Sequence, residues 1–364
     1  MTDLKINFVY RDMRVDRIEV AAPSIESTVV WSREEESGDF DVVVYFSGYS
    51  YDYRKAHRNN RAIHILYICE PLSVYPIHFT RRFWKNFDLV LTWNDRLASA
   101  GGYMHYLPVI SYDYPFEVGH GVVCHVDEAM PDPAARRRAL CQIVGDKYSP
   151  IIGQLYSLRR SAARWFHAHG QLDMDVYGFP AMKVPGHKGR VESKLETMRN
   201  YRYALCFENL YHPVWSSGYV TEKIFDCMAA DCVPVYYGAA NIEKYIPENC
   251  FIDFRRFAGF AELDAFLAAL SDEEWLNYVR NIRAFLSTHN AAHRYSCFRL
   301  YETAAALAEA GRVSPEVPLP PGFFETANLR EKAGYLLMGC GLKAYRFIHP
   351  LFDLLRRIPS WKSR

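Results

Sequence analysis

YRYALCFENLYHPVWSSGYVTEKIFDCMAADCVPVYYG, Tyr201 to Gly238, is the stretch that decides how this chain folds. Tyr203 to Phe207 is a short apolar run suited to an inner strand. Lys223 to Ala230 has the apolar spacing of a helix buried along one side, and Val233 to Gly238 reads as the next strand. Strand, polar loop, helix, strand is the order of a right-handed parallel crossover. Ligands of such sheets sit outside the carboxyl ends of the strands, where Asn209, Tyr219, Thr221, Glu222 and Lys223 would gather. A helix starting near Thr221 also aims its free N–H groups at that spot, which suits a diphosphate. A solvated charge pair is the ordinary explanation for adjacent Glu222 and Lys223. What favours a site is their place after the Gly218–Tyr219 turn, at the anion-attracting end of an apolar helix.

Working outward, the residues before this unit alternate strand-like runs with helical or loop stretches. Leu4 to Tyr10, Asp41 to Phe46, Ile63 to Cys69, Asp88 to Trp93 and Tyr103 to Ile110 read as strands of a largely parallel sheet. From Tyr112 to Pro133 the apolar runs thin and Pro, Gly, His and Asp collect, which marks a connection. A second α/β series follows, with strands at Ala139 to Val144 and Asp175 to Gly178, and helices at Leu155 to Ala168, Ala261 to Leu270 and Asp272 to Leu286. The expected parts are an N-terminal α/β domain over 1–130, a C-terminal α/β domain over 131–312, and a proline-rich spacer with a basic tail over 313–364.

FEN at Phe207–Asn209, YVTEK at Tyr219–Lys223, and the helix and VPVYYG strand after them resemble the α-1,3/4-fucosyltransferase family. The likeness runs from Asp175 to Phe257 and, more weakly, from Ile63 to Ile110, and its helix-to-strand spacing is similar to that of bacterial members. The resemblance implies a GT-B fold, in which two Rossmann-like domains with parallel sheets face a central cleft. It implies inverting transfer of L-fucose from GDP-β-L-fucose to a hydroxyl of an N-acetyllactosamine-like or surface-polysaccharide acceptor, with no metal required. On that reading Lys223 binds the diphosphate, Glu222 contacts donor hydroxyls, Tyr219 packs on guanine, and Asn209 and Thr221 complete the donor set. Arg160, near the start of a helix, contacts the pyrophosphate. Glu70, left at the end of the strand HILYIC by Pro71, is the base that activates the acceptor hydroxyl. The chain departs from the family in one respect: nine residues, LYHPVWSSG, separate FEN from YVTEK, where the family's loop is shorter.

Composition excludes other classes. A formal net charge of +1 over 364 residues offers no general footprint for nucleic acid. The nine cysteines are scattered and several lie in apolar runs, so they read as reduced core thiols of a cytoplasmic protein. No GxGxxG occurs, which disfavours a dinucleotide-dependent oxidoreductase. A glycosyltransferase using another GDP-sugar, or a non-catalytic nucleotide or glycan binder, would share the same motifs. DMD at Asp173–Asp175 and DFD at Asp39–Asp41 resemble metal-binding strings, but each precedes a strand, where a turn calls for Asp anyway. HAHG at His167–Gly170 reads as a helix end rather than a ligand pair. The tail from Lys332 interleaves Leu, Tyr, Phe and Trp with Lys and Arg. It fits either a peripheral contact with the anionic inner face of a bacterial membrane or packing on the folded body.

Overall fold

A computed structural model of the chain describes residues 4–10, 16–22, 25, 27–33, 39–46, 61–109, 129–145, 147–178, 184–288, 294–313 and 318–333. The first domain is a seven-stranded sheet built from β1 (Leu4–Val9), β2 (Arg17–Ala22), β3 (Ser27–Ser32), β4 (Val42–Phe46), β5 (Ile63–Ile68), β6 (Leu89–Thr92) and β7 (Met104–Tyr106). Its order is β2-β3-β1-β4-β5-β6-β7, parallel throughout except for the β2–β3 pair. Two short helices, α1 (Arg81–Trp84) and α2 (Asp95–Ala98), flank β6. The hairpin of β2 and β3 escapes the sequence reading, because Arg17 and Glu19 break the apolar run that marks an inner strand. Such a pattern suits the sheet edge that β2 occupies, where one side of the ladder has no partner strand among the described residues. The last run, expected to extend from Tyr103 to Ile110, is a strand only over Met104–Tyr106.

The second domain holds a five-stranded parallel sheet, order β12-β11-β10-β8-β9. Its elements are β8 (Arg137–Val144), α3 (Tyr156–His169), β9 (Met174–Gly178), α4 (Lys194–Met198), β10 (Tyr201–Phe207), α5 (Glu222–Ala229), β11 (Val233–Tyr237) and β12 (Ile252–Asp253), closed by α6 (Phe260–Ala269) and α7 (Asp272–Thr288). β10 is buried along its whole length, Arg202 included, as an inner strand flanked on both sides requires. The crossover expected over Tyr201–Gly238 is present, with Tyr203 to Phe207 in register with Val233 to Tyr237. Two α/β halves with parallel sheets, their strands' carboxyl ends turned to a shared junction, make the GT-B arrangement.

One helix lies where its place in the chain did not suggest. α8 (Cys297–Ala310) falls within the span expected for the second domain, yet packs on the first sheet. Its stripe Cys297, Leu300, Tyr301, Ala304 and Leu307 covers Ile6, Phe8, Trp31 and Phe46, and the Trp31 indole donates to the Tyr301 hydroxyl at 2.8 Å. Helical periodicity identifies such a stripe without naming the surface it meets. The connection expected over Tyr112–Pro133 lies mostly outside the described residues, as do residues 314–317 of the spacer and nearly all of the basic tail.

The long loop between FEN and YVTEK fastens the two domains. Leu210, Trp215 and Tyr219 are buried in the first domain's core cluster with Phe79, Trp93 and Phe323. Trp215 meets Phe79 and Phe323 edge-on, at 5.9 and 5.7 Å between ring centroids, and the Arg96 guanidinium lies over its indole. Gly218 has φ +84°, and a Cβ there would stand 2.2 Å from the Trp93 carbonyl oxygen, so only glycine fits this crossing. Trp215→Ala is expected to lower unfolding free energy by about 3–5 kcal/mol, the usual cost of emptying a buried indole site. Urea denaturation measures this, and a loss below about 1 kcal/mol would show that the loop merely rests on the first domain.

Candidate functional site

Glu208 ends β10 with no exposed surface, so its carboxylate must find partners inside the protein. Thr221 supplies a backbone N–H at 2.9 Å and a hydroxyl 2.8 Å from each carboxylate oxygen, and Lys223 donates from Nζ at 3.1 Å. Lys223 also reaches the Thr221 hydroxyl oxygen at 3.0 Å and pairs with Glu222 at 3.5 Å. Gly238, at the end of the VPVYYG run, makes room: a Cβ there would lie 2.3 Å from Glu208 Cγ. The sequence reading quoted Glu208 within FEN but gave it no role, because its complete burial is not visible in a motif.

Burial raises the Glu208 carboxyl above the usual carboxylate range, and Lys223 and Thr221 pull it back in part. Burial likewise works against the Lys223 ammonium, but Glu208 and Glu222 outweigh it, so its pKa is raised and it stays charged. Glu222, the first residue of α5, is half-buried. There too burial opposes ionisation and is overcome, chiefly by Lys223 and Lys194, bringing the carboxyl down to about 2.

Asn209 is the second organising residue. Its side-chain oxygen accepts from Arg159 Nη2 at 3.0 Å. Its Nδ2 donates to Glu70 Oε2 at 3.3 Å and to the Tyr219 hydroxyl at 3.2 Å. Glu70, two residues beyond β5 in the first domain, therefore meets the FEN loop of the second. Ser73 adds a hydrogen bond to the Asn209 carbonyl at 3.1 Å. Tyr156 lies close by, its phenol pushed up to about 12 by burial and by the Glu70 charge. A second crossing centres on Asp95, which accepts from Asn241 Nδ2 and the Tyr245 hydroxyl, each at 2.7 Å.

Glu70, Asn209, Tyr219, Thr221, Glu222 and Lys223, all singled out from sequence, thus come together, but two expectations change. Arg159, not Arg160, is the arginine bound to this cluster. It is 3% exposed and holds the Phe207 carbonyl as well as Asn209, whereas Arg160 is partly exposed and donates to the Lys147 carbonyl at 2.8 Å. Adjacent helix residues point about 100° apart, so one of an arginine pair turns in and the other out. Tyr219 is 1% exposed, its ring 4.7 Å from that of Trp93, and so has no free face for a guanine.

The aspartate strings are otherwise engaged. Asp175 is buried against Arg137, Lys188 at 3.4 Å and the Tyr201 hydroxyl at 2.6 Å, while the Asp173 side chain is exposed. Asp41 accepts from the Lys5 backbone N–H at 2.9 Å. Gly170 is the C-cap of α3, as the HAHG reading expects, and it is extended with φ −65°. The need for glycine there is steric, since a Cβ would meet the Phe166 and Leu172 carbonyl oxygens below 3 Å. Among the described residues no three His, Cys, Asp or Glu side chains are grouped to hold a metal ion.

Residues 154–304 match the model of glycosyltransferase family 10 (fucosyltransferase), C-terminal region. An α-(1,4)-fucosyltransferase of Arabidopsis thaliana is 34% identical over 76 residues, 21% of this chain and 18% of the relative. An α-(1,3)-fucosyltransferase of Helicobacter pylori is 25% identical over 160 residues, 42% of this chain and 29% of the relative. The matched stretches thus span well under half of these relatives' own length. A crystal structure of an α1,3-fucosyltransferase with GDP superposes with a TM-score of 0.50 at 16% identity, covering 81% of this chain and 92% of that one, which places the two in the same fold.

The low Glu222 pKa makes a stability prediction. With the folded carboxyl titrating near 2 and its ordinary value at 4.5, the folded state binds fewer protons between those limits. The stabilisation is therefore present above 4.5 and lost as pH falls toward 2. Glu222→Gln is expected to be less stable than the wild type at neutral pH and to converge with it in acid, read as urea midpoints against pH. A difference that stays constant across the range would show that the Glu222 charge is not held by its neighbours.

Proposed function

We propose that the chain is an inverting glycosyltransferase that moves L-fucose from GDP-β-L-fucose to a glycan hydroxyl, giving an α-1,3 or α-1,4 fucoside. The observation that carries this reading is the meeting of Glu70 with the donor set of the second domain, through Asn209 at 3.3 Å. A carboxylate from one domain and an ammonium at a helix start from the other are the two charges such a transfer needs.

In this reading GDP lies over the start of α5. Lys223 and the N–H groups of the first turn take up the charge that accumulates on the diphosphate as the bond to the sugar breaks. The acceptor hydroxyl attacks the anomeric carbon from the face opposite GDP. Glu70 receives its proton, so the β-linked donor becomes an α-linked product. Arg159 and Tyr219 position Asn209, and Glu208 positions Lys223. No metal enters the scheme, because Lys223 and α5 meet the diphosphate charge and Asp175 is already neutralised by Arg137 and Lys188. The acceptor would be an N-acetyllactosamine-like glycan or a bacterial surface polysaccharide, and the site of action the cytoplasm or the inner face of the inner membrane.

Lys223→Ala is expected to lower turnover about a hundredfold or more, the usual worth of a preorganised charge opposite a leaving group, and to weaken GDP binding. A folded variant with wild-type GDP affinity and transfer would sink the assignment. Glu70→Gln is expected to keep GDP binding, measured by calorimetry, while transfer from GDP-fucose falls roughly a hundred- to ten-thousandfold. Transfer at the wild-type rate would place the base elsewhere.

A further inference from the structure

Between Asn209 and Tyr219 the chain folds on His212. Its Nδ1 accepts the backbone N–H groups of Val214 and Trp215, each at 3.1 Å, so the proton of the neutral ring stands on Nε2. Nε2 lies 2.8 Å from Glu331 Oε1. Ser216, with no exposed surface, accepts the His212 backbone N–H at 3.0 Å, and its hydroxyl lies 3.0 Å from the Gly238 carbonyl oxygen. Glu331 belongs to the segment after the proline-rich spacer, beyond residue 304, where the family match ends. Its Oε2 accepts the Asn328 N–H at 2.8 Å while Asn328 Oδ1 accepts the Glu331 N–H at 2.9 Å, the reciprocal pair of a capping box. That box fixes the Glu331 side chain, and Leu319, Phe323 and Ala327 anchor the same segment on the cluster that buries Trp215. Burial raises the Glu331 carboxyl, but His212 and the Asn328 N–H outweigh it and hold it below the usual range.

We propose that His212 and Glu331 are positioning residues of the transfer, folding the loop between Asn209 and Tyr219 so that the Asn209 amide meets Glu70. The proposal rests on the reading of Glu70 as base given above. Nine residues between the two motifs cost more conformational entropy to order than a shorter loop does, and a hydrogen bond to a carboxylate already fixed by its capping box offsets part of that cost. Asn209 and Tyr219 bond to each other at 3.2 Å, so a loop that shifts at His212 moves both. Such a shift alters the reach of the amide to Glu70 more than the place of Lys223, which Glu208 and Thr221 hold separately.

Kinetics and calorimetry on the full chain test this. Glu331→Ala is expected to lower kcat for GDP release from GDP-fucose, to N-acetyllactosamine or to water, about tenfold, as a small misplacement of reacting groups does, with GDP affinity within about twofold of wild type. Glu331→Gln, whose amide oxygen still accepts from Nε2, should recover most of the rate. In the Glu70→Gln background Glu331→Ala should cost less than about twofold, because the misplacement acts through Glu70. His212→Ala, which leaves the capping box intact, should show the same loss and the same dependence on Glu70. A tenfold loss in both backgrounds, no recovery in Glu331→Gln, or GDP affinity falling in step with kcat would overturn the proposal, since each indicates general loosening of the fold. Unchanged kcat in both alanine variants would overturn it while leaving the transfer reading standing. Failure of the wild-type protein to release GDP from GDP-fucose would overturn the transfer reading and this inference together.

Discussion

A carboxylate sealed from water at the end of an inner strand is the constraint on which the rest of this site depends. Glu208 cannot be solvated, so Thr221 and Lys223 must come to it, and they fix where α5 begins relative to β10. Removing either partner would strand a buried charge, a situation more costly than the pair is stabilising. The same requirement reaches Gly238, since any side chain there would collide with Glu208. A lysine that a motif reading would assign only to ligand binding is thus also part of the protein's internal charge accounting.

Asn209 extends this order across the junction. With an acceptor atom toward Arg159 and donors toward Glu70 and Tyr219, one amide ties the second domain's buried arginine to the first domain's carboxylate. Asp95 makes an independent crossing with Asn241 and Tyr245, and Trp215 a third through apolar packing. Three contacts of different chemistry hold the same junction, so the separation of Glu70 and Lys223 is set by the body of the protein rather than by a mobile loop.

Much of this was legible in the sequence because period and punctuation are local. The crossover over Tyr201–Gly238 and most parallel strands follow from apolar runs of strand length, and Glu70 was placed by the proline that ends its strand. What escaped depended on partners distant in the chain. Arg159 and Arg160 are chemically alike, and only the packing of α3 on the second sheet decides which faces inward. Tyr219 looks like a stacking platform until Trp93, from the other domain, covers it. The β2–β3 hairpin was hidden by the charges that an edge strand tolerates.

The return of α8 to the first sheet has a consequence for how the molecule comes into being. Trp31 and Tyr301 are separated by 270 positions, with the whole second sheet between them. During synthesis the face formed by Ile6, Phe8 and Trp31 stays without its cover until α8 has left the ribosome, by which time the second domain is complete. The half made first is therefore finished last, and for most of translation it presents an aromatic surface of the kind that holding chaperones bind.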